Sequence, residues 1–157
     1  IPEPLIKKEF SRIMSLKDGL RKMSKSEISD LSRINLTDDK DQIINKIKKA
    51  KTDALPLPST IEELEKRPEA KNLIGIYSSL MNDKLQNSID VFAGKNFSEF
   101  KEKLSDIVVN EINPISLKIK DLLDDKSFLE KILKEGCEKA NEIASKKVRE
   151  IHKIVGF

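Results

Sequence analysis

Apolar residues recur at helical spacing over most of the chain, and only its first third lacks that rhythm. Ile43, Ile44, Ile47 and Ala50 share one helical face, opened by Thr37 and Asp38, both good N-cap residues. The prolines of "ALPLPS" (54–59) interrupt the pattern, and "STIEELEKR" reopens it with a capping-box spacing from Ser59 to Glu62. Pro68 stands where a proline starts a helix, and Leu73, Ile76, Tyr77 and Leu80 follow on one face. Leu85, Ile89 and Phe92 predict a short helix ended by Gly94. Asn96 or Ser98 then caps a long helix through Phe100, Leu104, Ile107 and Val108. Pro114 lacks an N–H and should bend that helix, whose pattern resumes at Ile115, Ile119, Leu122 and Leu123. The last helix, or a pair divided at Gly136, runs from Ser127 to Ile154. Its inward positions are Phe128, Ile132, Leu133, Ala140, Ile143, Ala144, Val148 and Ile151.

Ahead of residue 37 the reading differs. "IPEPLIKKEF" (1–10), with two prolines, reads as loop; "RIMSL" suits a strand end; "KDG" turns. Residues 17–32 follow neither period and read as a long exposed loop. Nothing from residue 38 onward reads as sheet. The predicted fold is mainly α, a helical bundle preceded by a short strand and a polar loop.

Composition refines this picture. The chain has 157 residues, enough for one domain with a real core, or a small domain plus part of another. Charged residues make up 36%, but the apolar 38% is clustered and periodic, which excludes wholesale disorder. With aromatics at only 4%, the core must be mostly Ile and Leu. The net charge of +3 hides an uneven distribution. Residues 1–53 carry 13 basic against 9 acidic side chains, residues 54–125 carry 9 against 13, and residues 126–157 carry 8 against 5. A polyanion should therefore favour the two ends. The lone Cys137 excludes an intramolecular disulfide and a cysteine-based metal site, and fits a reducing compartment. No apolar run approaches the roughly 20 residues of a membrane span. The first residue is Ile1 rather than Met, which reads as a start inside a longer reading frame.

The candidate chemistry sits in "RIMSLKDGLRKMSKSE" (12–27). Lys22 and Lys25 are compact cations on flexible stems, Ser24 and Ser26 add hydroxyl donors, and Gly19 frees the backbone. A cation aimed at a transferring phosphate can stabilise its developing charge by about 3 kcal/mol. The same composition also describes an ordinary solvated loop. His152, the only histidine, falls in a predicted helix and reads as surface or packing rather than catalysis.

Residue order decides between those readings. "KMSKS" is the signature of class I aminoacyl-tRNA synthetases, and the longer stretch "RIMSLKDGLRKMSKS" resembles its tryptophanyl-tRNA synthetase form, bacterial or organellar type. The resemblance continues in order. It runs through "SRINLTDD" (32–39), "KIKKAKTD" (46–53), "RPEAKNLIGIY" (67–77), "FSEFKEKLSDIVVNEINPI" (97–115) and "EGCEKANEIASKKVREIHKIVGF" (135–157). The closing "VGF" and the "RIMSL" spacing argue against the related tyrosyl enzyme. A stand-alone helical module, binding nucleic acid or protein and carrying a chance KMSKS, is the alternative.

The resemblance implies the C-terminal half of an enzyme that activates tryptophan with ATP, Mg2+ accompanying the nucleotide, and transfers it to tRNA(Trp). Residues 1–36 would be the C-terminal edge of a Rossmann catalytic domain with the KMSKS loop. Residues 37–157 would be the helical anticodon-binding domain. Lys22 and Lys25 would be catalytic, neutralising the β,γ-phosphates and leaving pyrophosphate. Met23 would approach the adenine through its backbone, Ser24 and Ser26 would donate to phosphate or hold the loop, and Ile13 would contact the adenosine. Lys101 and Lys103 would contact the anticodon, with Phe97 and Phe100 nearby for base stacking. For Lys101 a solvated helix face, and for Phe100 a place in the core, are the competing readings. Lysines 146, 147 and 153 could meet the tRNA backbone. The family's "HIGH"-like motif and tryptophan pocket are not in this stretch, so the chain alone should fold but be inactive. The family usually has Asp after KMSKS; Glu27 here keeps the charge with a longer reach. The family implies a cytoplasmic homodimer, no membrane, and no metal ligand from the protein.

Overall fold

Fold and site are described from a computed structural model covering residues 2–4 and 11–156. Most of the expected loop at 1–10, and Phe157 of the closing "VGF", lie outside the described residues. Two strands come first, β1 (Met14–Ser15) and β2 (Asp18–Lys22), then a 3-10 turn (Asp30–Ser32). Six helices follow: α1 (Lys40–Lys48), α2 (Ile61–Glu65), α3 (Pro68–Leu80), α4 (Leu85–Phe92), α5 (Phe97–Asp124) and α6 (Lys126–Val155). The chain divides into two compact units, Ile1–Ser116 and Leu117–Phe157.

The core of the first unit is aliphatic, as the scarcity of aromatics requires. Ile43 and Ile47 of α1, Leu64 of α2, Leu73 and Ile74 of α3, Ile89 of α4 and Leu104 of α5 are almost fully buried. Three rings knit α3, α4 and α5 together: Tyr77 meets Phe92 edge-on at 4.9 Å, and Phe92 meets Phe100 at 4.9 Å. Such pairs add about 0.5–1.5 kcal/mol beyond the area they bury.

Helix starts lie close to their expected places, with instructive shifts. The N-cap of α1 is Asp39, in a reciprocal capping box with Gln42, whereas the neighbouring Asp38 is buried. The cap of α2 is Thr60, and Glu63 reaches back to the Ser59 N–H at 2.9 Å, one residue beyond the expected box. Pro68 opens α3, and the Asn96 side chain accepts from the Glu99 N–H at 2.9 Å to start α5. Helix α5 continues through Pro114.

The expected loop at 17–32 is partly a strand. Asp18–Lys22 pairs antiparallel with β1, in the register Met14↔Lys22 and Ser15↔Asp18. Helix α3 fixes this hairpin in two ways. A Cβ at Gly19 would lie 2.5 Å from the Pro68 carbonyl carbon and 2.6 Å from the Glu69 nitrogen, so only glycine permits this approach. Asn72, 7% exposed, accepts the Met14 N–H at 2.8 Å and donates to the Met14 carbonyl at 2.8 Å. Its amide thus replaces a neighbouring strand.

In the second unit, α6 runs unbroken through Gly136 and ends on Gly156, whose φ of 89° is left-handed. The inward positions expected along α6 are not buried: Phe128, Ile132, Leu133, Ile143, Val148 and Ile151 are all exposed. The amphipathic pattern does form a helix, but no residue of α6 is buried.

Candidate functional site

The two strands deliver the KMSKS motif to a cleft. Beyond β2 the Met23 N–H donates to the Ile13 carbonyl at 3.0 Å, extending the hairpin by one rung. The chain then turns at Ser24–Ser26. The two hydroxyls lie 2.9 Å apart, and the Ser26 N–H points to Ser24 Oγ at 3.3 Å. These serines hold the turn through local bonds. Lys22 and Lys25 are exposed, and among the described residues neither ammonium has an ion-pair partner. Ile13, Lys22, Met23, Ser24 and Lys25 line one cleft of about 530 Å³; Ser26 stays outside its wall and serves the turn.

The far wall was not anticipated. Arg33, Ile34, Asn35 and Leu36 complete the cleft. The Arg33 guanidinium donates to the Glu27 carbonyl at 2.9 Å and to Asn35 Oδ1 at 3.1 Å, and pairs with Asp30 at 3.1 Å. Behind it, Lys46 of α1 is 3% exposed, with its ammonium 2.6 Å from both Asp38 and Asp30. The bond from Lys46, then that from Asn35, holds the Asp30 carboxyl below its ordinary pKa. One sequence signal existed: Lys46 lies three residues after Ile43 on the apolar face of α1, a core position where an unpaired charge is excluded.

A second and larger cavity, about 1030 Å³, opens between residues 52–56 and the first turns of α5. Arg67 shapes it. Its guanidinium grips the Asp53 carboxylate with two bonds, at 2.8 and 2.5 Å, donates to the Pro56 carbonyl at 2.6 Å, and lies over the Phe97 ring at 5.6 Å. That grip lowers the Asp53 pKa.

Lys101 lines this cavity in an unexpected manner. Its ammonium donates to the carbonyls of Ala50 at 2.6 Å and Lys48 at 3.3 Å, closing the C-terminal end of α1. Thr52 Oγ1 lies at 3.3 Å, and burial lowers the Lys101 pKa. Lys103 is exposed and, two residues along α5, faces away from Lys101. Phe100, 0% exposed, takes the core place that was its competing reading, whereas Phe97, 9% exposed, lines the cavity beside Lys101. Lys146 and Lys147 are tied to Glu142 and Glu150 along α6.

No helix is long and apolar enough to cross a membrane, and no group of three or more His, Cys, Asp or Glu is placed to hold a metal, among the described residues.

Comparison with known proteins agrees with the motif. Residues 1–120 match the family model described as tRNA synthetases class I (W and Y). The chain is 50% identical over 155 residues to a tryptophan–tRNA ligase of Agrobacterium fabrum, covering 99% of this chain and 44% of that protein. It is also 50% identical over 157 residues to that of Rickettsia felis, covering 47% of it. Among solved structures, tryptophanyl-tRNA synthetase of Campylobacter jejuni complexed with ADP and tryptophan superposes with a TM-score of 0.73 at 24% identity, over 99% of this chain and 47% of that one. The Mycoplasma pneumoniae synthetase gives 0.73 at 23% identity, over 96% of this chain and 45% of that one. The fold is shared, and the chain spans less than half the length of the relatives it matches. With its KMSKS turn on one wall of a cleft and the family match running through α5, the chain belongs to the class I tRNA synthetases of the tryptophan and tyrosine type.

Proposed function

We propose that this chain is the C-terminal half of a tryptophan–tRNA ligase, which converts tryptophan and ATP to tryptophanyl-adenylate and pyrophosphate, then esterifies tRNA(Trp). The carrying observation is the convergence of Ile13, Lys22, Met23, Ser24 and Lys25 on one cleft, in a chain about half identical to such ligases along its whole length. Residues 1–36 form the edge of the catalytic domain, and residues 37–157 the anticodon-binding domain.

The chemistry follows from charge. The tryptophan carboxylate attacks the α-phosphorus of ATP, and the bond to the β,γ-pyrophosphate breaks. Negative charge accumulates on that leaving group, where Lys22 and Lys25 stabilise it more strongly than in the ground state. Their freedom from ion pairs leaves both available. Ile13 and the Met23 backbone contact the adenosine, while Ser24 and Ser26 set the turn and donate to phosphate. Mg2+ would accompany the ATP phosphates and help neutralise them, with no protein ligand identified among the described residues. The tryptophan pocket is assigned to the part of the relatives that this chain does not span, so the chain by itself is inactive.

The cavity beside α5 is the anticodon site. Lys101, on the wall of that cavity, and Lys103, exposed on another face of α5, are the lysines offered to the tRNA, and Lys101 also holds the end of α1. The active enzyme is a cytoplasmic homodimer.

The test uses the longer protein that this reading implies. Lys25→Ala should slow tryptophan-dependent ATP–pyrophosphate exchange by roughly 10²–10³-fold, with a smaller effect on tryptophan affinity. An unchanged rate removes Lys25 from the mechanism. Absence of exchange by the unaltered longer protein favours a binding module with a chance motif, and exchange by the 157-residue chain alone overturns the divided site.

A further inference from the structure

We propose that Lys46 is a positioning residue for the phosphate loop, reaching it from helix α1 through Asp30 and Arg33; this rests on the synthetase reading above. Three observations carry the inference. The first is the burial of an ammonium in the core. Lys46 lies between Ile43 and Ile47, which are 0% and 1% exposed, and a buried charge is costly unless fully paired. A leucine there would satisfy packing alone. Lys46 is held instead by two carboxylates, each 2.6 Å away.

The second observation is continuity. Asp30 passes the contact to Arg33 at 3.1 Å, and Arg33 donates to the carbonyl of Glu27, the residue that follows KMSKS, at 2.9 Å. Asn35 braces the chain from the side. Its backbone N–H donates to Asp38 at 2.8 Å, and its side chain donates to Asp30 at 2.9 Å and to Asp38 at 3.2 Å. The N-terminal stem of the loop is held by strand pairing, and this chain holds the C-terminal stem.

The third observation is charge balance. Lys46 and Arg33 carry two positive charges against two negative charges on Asp30 and Asp38. Arg33 and Asn35 line the same cleft as Lys22 and Lys25. With Lys46 removed, the network becomes net negative close to the loop. It would then compete with phosphate for the loop lysines, and a half-satisfied buried network loses its geometry. Adenylyl transfer depends on positioning, and a 1 Å error remote from the chemistry can cost about 10²-fold.

The test has two arms. In the longer protein, Lys46→Met should raise the KM for ATP, or lower kcat/KM for ATP, by about ten- to hundredfold, with tryptophan binding in the absence of ATP unchanged within about twofold. Asp30→Asn leaves the network net positive and so tests the positional link alone; it should raise the KM for ATP by about three- to tenfold with only a small drop in melting midpoint, because Asp38 still pairs Lys46, and it carries the test if Lys46→Met does not fold. Asp38→Asn added to Lys46→Met restores neutrality and should recover part of the loss. The second arm uses the 157-residue chain. Either variant should speed hydrogen exchange at the Ser32 and Asn35 amides, on the loop's C-terminal stem, by about tenfold or more, with α3 and α4 unchanged. An unchanged KM for ATP in both variants overturns the proposal, as do equal losses in ATP and tryptophan binding. Loss of stem protection in a longer protein that lacks exchange activity retains the device and removes the synthetase reading.

Discussion

Replacing Asn72 by alanine tests whether a helix side chain sets the position of strand β1. The amide makes two 2.8 Å bonds to one residue, Met14, and is 7% exposed. Truncation deletes both bonds and leaves the Met14 N–H and carbonyl facing a space too enclosed for full hydration. Each such orphaned group costs about 1–3 kcal/mol, so the expected loss is about 2–4 kcal/mol after allowance for one bridging water. That is a large fraction of a domain's usual stability of about 5–15 kcal/mol. Urea denaturation of the 157-residue chain, followed by circular dichroism, measures it as a drop in midpoint at constant slope. Hydrogen exchange localises it, because the Met14 amide should lose protection by about ten- to hundredfold more than amides of α4. Asn72→Asp sharpens the case. A carboxylate keeps the acceptor for the N–H but opposes the Met14 carbonyl, so this variant should be weakest near neutral pH and recover as acid supplies the missing donor. A loss below about 0.5 kcal/mol for Asn72→Ala, together with unchanged Met14 protection, would refute the clamp.

Other predictions address separate contacts. Gly19→Ala drives a Cβ into the backbone of Pro68 and Glu69, which cannot rotate away, and should cost about 1–3 kcal/mol in the same urea assay; a neutral result would mean the hairpin does not seat on α3. Asp53 has a folded-state pKa below its unfolded value, so its contribution is present above the unfolded pKa and is lost as pH falls through the folded one. Asp53→Asn should therefore flatten the acid limb of a stability–pH curve below about pH 4, and an identical limb would show that Arg67 does not stabilise the charge. Lys101→Met leaves two carbonyls at the end of α1 without their donor and should lower stability by about 1–2 kcal/mol, whereas Lys103→Met, at an exposed position, should change it by less than about 0.5 kcal/mol.

The helices were legible because their periodicity is the footprint of burial on one face. Leu73, Ile89 and Phe100 were placed on buried faces by spacing alone. The strand Asp18–Lys22 was hidden because its residues "DGLRK" do not alternate; its register comes from pairing and from the Gly19 contact, neither of which leaves a hydrophobic pattern. Asp38 and Asp39 are identical letters with opposite fates, one buried against Lys46 and the other capping a helix, and only the tertiary position of Lys46 separates them. The apolar face of α6 was read as inward, yet periodicity reports only that a face exists and not what covers it. For the KMSKS cleft, the motif brought its own residues together. Arg33, Asn35 and Lys46 were missed because their roles depend on contacts between segments and not on spacing within one.

The bond between Asn72 and Met14 spans 58 residues, and that separation imposes an order of assembly. During synthesis the loop sequence emerges first as an unpaired segment, and the side chain that must hold it is not yet made. At about 5–20 residues per second, roughly 3–12 s pass before Asn72 is added. The hairpin that carries KMSKS therefore acquires its Asn72 clamp only after α3 exists. For that interval its five-residue signature is present as sequence without the contact that seats its hairpin on the helical half.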